Sequence, residues 1–279
     1  MAQARAAKQE RAGHVHGDAH GDAHGDAHGH SHRDSHRDTN DHTHDHTHSH
    51  SHSHTHSHRQ LAACWSMCPE FEIIDRQVAK DVSVFEATEA TQALGPGRLV
   101  IDPARAVKKF RRSAAGSYEL AEDLRPPAVL LETTAHLLGL LRGGGAEQDA
   151  ALYGFIRDRT RAVRTDLTLQ GARDGRAVRI HELVVRYLIA AGHLLCEHPR
   201  ALFSPQQNLE QLNGCLSALR EMYKHVRAPA ARVAEFHAYA ILLALDRPSA
   251  ATAVAALGPA VLAAPPVQAA LDAVAAFQQ

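Results

Sequence analysis

The sequence predicts an all-α fold: an α-solenoid of antiparallel helix pairs over residues 60–279, preceded by a tail over residues 1–59. Beyond residue 60, apolar residues recur at three- and four-residue steps, the period of an amphipathic helix. Prolines repeatedly stand where a helix would begin, a position at which the missing N–H costs nothing. Alternating apolar and polar segments, which indicate strands, are almost absent. The predicted helices outnumber those of a single bundle, so we favour the solenoid.

The first 59 residues differ in composition from the rest of the chain. Seventeen of the 23 histidines lie between His14 and His58, a stretch that contains no aromatic residue and one large aliphatic residue, Val15. Such a segment cannot bury enough apolar surface to offset the loss of chain entropy on folding. The tail is therefore predicted to be disordered.

Histidines at alternating positions of this tail are candidate metal ligands, since neutral imidazoles bind zinc, nickel and copper. A solvated repeat tail is the favoured interpretation, because a specific metal site needs supporting contacts that a disordered segment lacks. We therefore predict no cofactor, with adventitious zinc or nickel as the alternative. The candidate ligands are His42, His44, His46, His48, His50, His52, His54, His56 and His58.

Helix starts beyond the tail share the same local chemistry. Asp102-Pro103 and Arg125-Pro126-Pro127 each place proline near a first helical position. Ser204-Pro205-Gln206-Gln207 predicts a capping box in which Ser204 is the N-cap. The predicted helices cover residues 69–90, 102–114, 125–141, 150–169, 177–197 and 249–262, and three more start near residues 204, 228 and 265.

The helix predicted over 150–169 uses only arginine as its cation after Tyr153, and only aspartate as its anion. Arginine is the side chain suited to fixed, partly buried contacts with carboxylates or phosphates. We predict that its charges join a second helix in an ion-pair lattice that holds the two in register. The alternative is direct phosphate contact, which the aspartates disfavour by repulsion. The lattice residues are Arg157, Asp158, Arg161, Arg164, Asp166, Glu182 and Arg186.

A second basic cluster lies in the helix predicted over 102–114, where four cations surround Phe110. The overall formal charge of −1 gives no global argument for nucleic-acid binding, so any such argument rests on local patches. Lys108, Lys109, Arg111 and Arg112 are the candidates for contact with nucleic acid or with an import receptor. The alternative is a solvated helix face.

No catalytic residue is predicted. The sequence contains no phosphate-binding glycine loop, no Gly-x-Ser-x-Gly motif and no His-Glu-x-x-His motif. Asp246, Arg247 and Pro248 interrupt the longest apolar run, so no membrane span is predicted. A soluble intracellular protein without enzymatic activity is expected.

Several of these motifs, in this order, resemble the central region of the GANP family, the germinal-centre-associated nuclear protein and the scaffold of the nuclear-pore mRNA-export complex. The resemblance extends over about 62–279. The matching pieces are Met67–Glu72 with Arg76, Val82–Glu86, Ala106–Ala115, Leu124–Leu130, Tyr153–Gln170, Glu182 with Arg186, Gln207-Asn208 with Gln211-Leu212, and Glu235-Phe236 with Tyr239.

The resemblance implies a helical-repeat, PCI-like scaffold that is normally followed by a winged helix. In larger relatives this region docks a helical-repeat, winged-helix subunit and a small acidic subunit, and the assembly presents a basic surface to RNA. Because the sequence ends at Gln279, the region is expected to lack its terminal winged helix. The expected function is a non-catalytic scaffold for mRNA export in the nucleus. The alternatives are a centrosomal or spindle adaptor, as in shorter relatives, and metal buffering by the tail.

Overall fold

A computed structural model describes residues 62–112, 119–141, 146–245, 254–255 and 257–278. The predicted tail over 1–59 and its candidate metal ligands lie outside these ranges. The described residues confirm the all-α prediction, and the only β feature among them is an isolated bridge between Ala87 and Ile101. The helices are α1 Glu70–Val78, α2 Glu89–Gln92, α3 Pro127–Gly139, α4 Ala146–Leu169, α5 Gly175–Leu194, α6 Pro205–Met222, α7 Ala230–Leu242, α8 Pro259–Leu262 and α9 Pro265–Phe277, with 3₁₀ turns at Val84–Glu86 and Ala121–Asp123.

The helices pack in pairs, as the solenoid prediction requires. Helix α5 packs on α6, α7 packs on α9, and α3 contacts both α4 and α5. A large hydrophobic core lies between α3 and α6, where Leu130, Ile156 and Leu188 are almost fully buried. Burying one such side chain stabilises the fold by about 1.5–3 kcal/mol. A second apolar cluster, which includes Ile241 and Val267, joins α7 to α8 and α9.

The helix boundaries follow the predicted capping chemistry. Ser204 is the N-cap of α6, and its hydroxyl accepts a hydrogen bond of 3.3 Å from the backbone N–H of Gln207. Asp174 caps α5 by accepting hydrogen bonds from the N–H groups of Arg176 and Ala177. Gly171 has a φ of +57°, a left-handed conformation that glycine adopts without strain, and it lies just beyond the end of α4. Gly171 and Asp174 thus lie together in the short turn that joins α4 to α5.

The predicted helix over 102–114 is wrong for the residues that the structure describes. A turn at 103–105 leads into residues 106–112, which have no regular secondary structure and which we call the strap. The N–H groups of Val107 and Lys109 donate to the carboxylates of Glu86 and Glu72, at 2.9 and 2.7 Å. Because side chains from outside the segment satisfy these N–H groups, the strap does not need the hydrogen bonds of a helix.

The helix predicted over 69–90 is also interrupted. Helix α1 ends at Val78, and Lys80 follows with a φ of +57°, a conformation that cannot continue a right-handed helix. The chain then reaches the 3₁₀ turn at Val84–Glu86 before α2 begins. This break places Glu86 beneath the strap, where its carboxylate is fully buried.

His181 on α5 gives the fold a pH dependence that can be tested. Burial lowers the pKa of His181 from 6.5 to about 4, and its Nδ1 lies 2.9 Å from the carbonyl oxygen of Ala177. Because the folded state binds this proton less readily than the unfolded state, stability is fully present above pH 6.5 and falls as the pH drops towards 4. The expected loss from this group is on the order of 2 kcal/mol at pH 5.

His181→Asn isolates this contribution, since asparagine can donate to Ala177 but does not titrate. We expect the free energy of unfolding to fall less between pH 7 and pH 5 in the variant than in the unchanged protein. Urea unfolding at the two pH values measures the difference, and all other histidines are identical in the two proteins. Equal pH dependence in both proteins would contradict the assignment to His181.

Candidate binding surface

A buried carboxylate organises the contact between the strap, α1 and α4. Glu86 is fully buried and accepts from Arg76, from Arg159 at 3.0 Å and from the N–H of Val107. Burial acts to lower the pKa of Arg76, but the charge and hydrogen bonds of Glu86 outweigh it, so the pKa of Arg76 is raised. Arg76 also donates to the carbonyl oxygen of Val107 at 3.2 Å. This cluster therefore bonds to both the N–H and the carbonyl oxygen of Val107 and holds the strap in place.

A second buried carboxylate holds the opposite side of the strap. Asp166 on α4 accepts from Arg125 Nε at 2.7 Å and from Lys108 Nζ at 3.0 Å. Lys108 Nζ also donates to the carbonyl oxygen of Asp123 at 2.8 Å. Each of these charged groups is at least nine-tenths buried. Two cations and one well-bonded carboxylate therefore tie the strap and the start of α3 to α4.

The predicted ion-pair lattice is thus partly wrong in its partners. Asp166 forms buried ion pairs, but its partners are Arg125 and Lys108, and neither belongs to the predicted lattice. Asp158 accepts from Arg159 at 2.6 Å and from the N–H of Phe110 at 3.2 Å. Asp158 and Asp166 of α4 therefore hold the strap and are not paired with α5.

The arginines that were predicted to pair with Glu182 point elsewhere. Arg157 donates to Gln207 and Arg164 donates to Gln211, both on α6. The guanidinium of Arg161 lies over the ring of Phe110, with its Cζ 3.9 Å from the ring centroid. These three arginines share one face of α4, and that face meets α6 and the strap instead of α5.

Glu182 and Arg186 connect α5 to the following helices. Glu182 is fully buried, accepts from the hydroxyl of Tyr223 at 2.9 Å and lies within 3.7 Å of Arg232. Arg186 makes a two-point contact with Glu235, at 2.8 and 2.7 Å. The hydrogen bonds from Arg186 lower the pKa of Glu235, although its burial acts in the opposite direction. These contacts bind α5 to α6 and α7.

The predicted basic cluster divides into one buried and three accessible cations. Lys108 is buried against Asp166, so the prediction of a nucleic-acid contact at this position is wrong. Lys109 is partly exposed and donates to Asp81 at 2.7 Å, and Arg111 donates to Asp75 at 3.1 Å. Arg112 is exposed. The last three remain candidates for contact with an anionic partner.

The local sequence gave no sign of the main partners of these charges. Arg76 and Glu86 are ten residues apart, whereas Arg159 lies 73 residues from Glu86. Arg125 precedes the prolines that begin α3, a context that indicated only a helix start. The available signal was the presence of arginines within otherwise apolar segments, which indicates paired burial without naming the partner.

The described ranges contain no group of three or more histidine, cysteine, aspartate or glutamate residues arranged to hold a metal ion. None of the helices described is long and apolar enough to cross a membrane.

Comparison with known families decides the relationship. The family model described as "SAC3/GANP family" matches residues 67–279, which include every helix from α1 to α9. The chain belongs to the SAC3/GANP family. The match confirms the resemblance indicated by the sequence motifs, and it contains the strap and both of the carboxylates that hold it.

Curated relatives carry the same family name in two kingdoms. "SAC3 family protein 1" of Schizosaccharomyces pombe is 38% identical over 193 residues, covering 67% of this chain and 18% of the relative. "SAC3 family protein B" of Arabidopsis thaliana is 32% identical over 197 residues, covering 67% of this chain and 11% of the relative. "Protein xmas" of Drosophila melanogaster is 30% identical over 191 residues, covering 65% of this chain and 9% of the relative. This SAC3/GANP chain therefore matches a small part of each relative's length.

Proposed function

We propose that this chain is a non-catalytic helical scaffold of a nuclear mRNA-export-type complex. The observation that carries the proposal is the SAC3/GANP match over residues 67–279. Family membership supports a role in mRNA export or related nuclear functions, and a continuous array of paired helices suits a docking platform. The partners proposed from the family resemblance are a helical-repeat, winged-helix subunit and a small acidic subunit.

The buried ion networks favour a scaffold for a physical reason. Association costs less when the binding surface is ordered before the partner arrives, because fewer side chains and loops lose freedom. Glu86 and Asp166 hold an irregular segment in one arrangement through side chains that are almost fully buried. The scaffold thus presents the strap in a preformed shape to whatever protein or nucleic acid contacts it.

RNA contact is proposed for the accessible cations of the strap. Lys109, Arg111 and Arg112 are at least partly exposed, and the ion pairs of Lys109 and Arg111 involve partners that are about half exposed. Such exposed pairs contribute only about 0–1 kcal/mol, so a phosphate can replace the carboxylate at little cost. Lys108 is not part of this proposal, because its ammonium group is buried.

Purification of the full-length chain from nuclear extract tests the proposal. An epitope tag that does not use metal affinity, together with a chelator in the buffer, prevents capture through histidine-bound metal. We expect a helical-repeat, winged-helix protein to co-purify in stoichiometric amount, and RNA to be recovered after crosslinking. A matched purification with an unrelated tagged protein is the control.

Two results would contradict the proposed scaffold. Recovery of centrosomal or tubulin-associated proteins in place of the expected subunit would favour the adaptor alternative. Recovery of no protein above the control would exclude stable docking by this chain. Loss of RNA alone would leave the protein scaffold in place and remove only the RNA contact.

A further inference from the structure

A groove on the protein surface lies where α4, α6 and the strap meet. Its volume is about 310 Å³, and its walls include Phe110, Arg161, Arg164, Leu169 and Gln211. Two of these wall residues are arginines one helical turn apart on α4, so their guanidinium groups approach the same space. Apolar side chains from the strap and from the end of α4 flank the two cations.

The arginines beside this groove are held in place without being neutralised. Arg161 is stacked on Phe110, and Arg157 and Arg164 bond to the amide oxygens of Gln207 and Gln211, which carry no charge. Among the described residues, none of the three arginines forms an ion pair with a carboxylate. Asp158 on the same helix acts electrostatically on Arg161, but its carboxylate already accepts hydrogen bonds from Arg159 and from the strap backbone.

The local charge is therefore positive, and the three arginines that carry it are partly buried. Burial lowers the pKa of Arg161, and the neighbouring Arg157 and Arg164 lower it further. The Nε–H groups of Arg157 and Arg164 are buried and have no hydrogen-bond acceptor among the described residues. Like charges brought together in this way repel one another, and an anion in the groove would relieve the repulsion.

Beside the groove the positive charge extends to Arg112 at the end of the strap, which also acts to lower the pKa of Arg161, but the two strap cations before it are paired with carboxylates. These two cations, Lys109 and Arg111, are paired with Asp81 and Asp75. A nucleic-acid backbone carries its charges at regular intervals and binds best to a continuous basic path. A compact group with two negative charges and several acceptor oxygens fits the groove better, because it matches two adjacent guanidinium groups.

We propose that this groove binds a phosphorylated serine or threonine side chain of a partner protein. A phosphate monoester carries about −1.5 to −2 charges near pH 7 and presents three acceptor oxygens. Two arginines can therefore balance its charge. The planar donors of Arg161 and Arg164 can each bond two of these oxygens. Phe110 and Leu169 supply apolar contact for the residues beside the phosphate. The site is additional to the scaffold function and does not depend on it.

Fluorescence anisotropy with the full-length chain tests the site with three labelled probes. The first is a seven-residue glycine-serine peptide with a central phosphoserine, the second is the same peptide without phosphate, and the third is a single-stranded RNA of twelve uridines. We expect the phosphopeptide to bind at least about tenfold more tightly than the unphosphorylated peptide, since charge-assisted two-point bonds are lost without the phosphate.

Two variants and a control assign the binding to the groove. Arg161→Gln removes one guanidinium, and Gln211→Glu places a carboxylate beside Arg164, where it can form an ion pair that supports the fold. Each is expected to weaken phosphopeptide binding by about tenfold or more. Arg98→Gln removes an exposed positive charge in the loop before Leu99, so affinity should change by less than about twofold. Thermal melts confirm that each variant is folded, and Gln211→Glu decides the test if Arg161→Gln does not fold.

Three outcomes would overturn the proposal. One is equal affinity for the phosphorylated and unphosphorylated peptides. Another is a phosphopeptide affinity that neither Arg161→Gln nor Gln211→Glu changes. The third is displacement of the phosphopeptide by the RNA, with RNA binding that is lost in Arg161→Gln. That result would make the groove a nucleic-acid site. The peptide result is independent of the purification, so each proposal can fail without the other.

Discussion

Replacing Glu86 with alanine is expected to lower the free energy of unfolding by about 3–5 kcal/mol, because it leaves buried charges without their partner. The carboxylate is fully buried and joins Arg76, Arg159 and the N–H of Val107. Without it, two guanidinium groups that are at least nine-tenths buried lose the carboxylate they share. Arg76 then keeps Glu72 and the carbonyl oxygen of Val107. Arg159 keeps Asp158. Such a loss corresponds to a melting temperature lower by roughly 6–20 °C for a domain of this size.

Urea unfolding of the Glu86→Ala protein, followed by circular dichroism, measures the loss. Glu89→Ala is the matched control, since it removes the same side chain from an exposed position three residues away and should cost less than about 1 kcal/mol. Similar unfolding midpoints for both variants would show that the Glu86 network does not stabilise the fold.

The sequence allowed a good prediction of the helical array because its signals are local. Helix α4 was predicted to within a few residues at its start and at its end, since the apolar spacing that indicated it acts within one element. The cap at Ser204 was predicted for the same reason, and the hydrogen bond to Gln207 confirms it. The solenoid prediction followed from counting such elements.

The irregular backbone of the strap was not predicted, because the side chains that accept hydrogen bonds from its N–H groups are distant in sequence. Asp102-Pro103 is a good helix start, and nothing within residues 102–112 argues against a helix. The deciding groups are Glu72, Glu86 and Asp158, which accept from the strap N–H groups across 21 to 48 residues. Tertiary contacts of this kind outweigh helix propensity, which is worth less than about 1 kcal/mol per residue.

The charged residues of α4 show the same contrast between local signals and contacts that are distant in sequence. Asp166 was predicted to belong to an ion-pair lattice that joins α4 to Glu182, but its partners are Arg125 and Lys108. Its partner Arg125 lies 41 residues away on the far side of α3 in sequence, so spacing within α4 could not reveal it. The element that the arginine face of α4 meets likewise depends on how α5 and α6 pack.

Replacing Lys108 with glutamate is expected to unfold the protein much more readily than the same change at Lys109. The ammonium group of Lys108 lies 3.0 Å from the Asp166 carboxylate and 2.8 Å from the carbonyl oxygen of Asp123, with little access to solvent. A glutamate there would bring a second carboxylate beside Asp166, at an expected cost above about 3 kcal/mol. Lys109 lies in a partly exposed pair with Asp81, so the same change should cost about 1 kcal/mol or less.

Equilibrium urea unfolding of Lys108→Glu and Lys109→Glu, side by side in the full-length chain, tests most directly whether the strap is a buried structural segment. The two variants have the same composition and net charge, so only the position of the new carboxylate differs. The structure predicts a loss of more than about 3 kcal/mol at Lys108 and about 1 kcal/mol or less at Lys109. Small and equal losses at both positions, as on the exposed face of a surface helix, would contradict it.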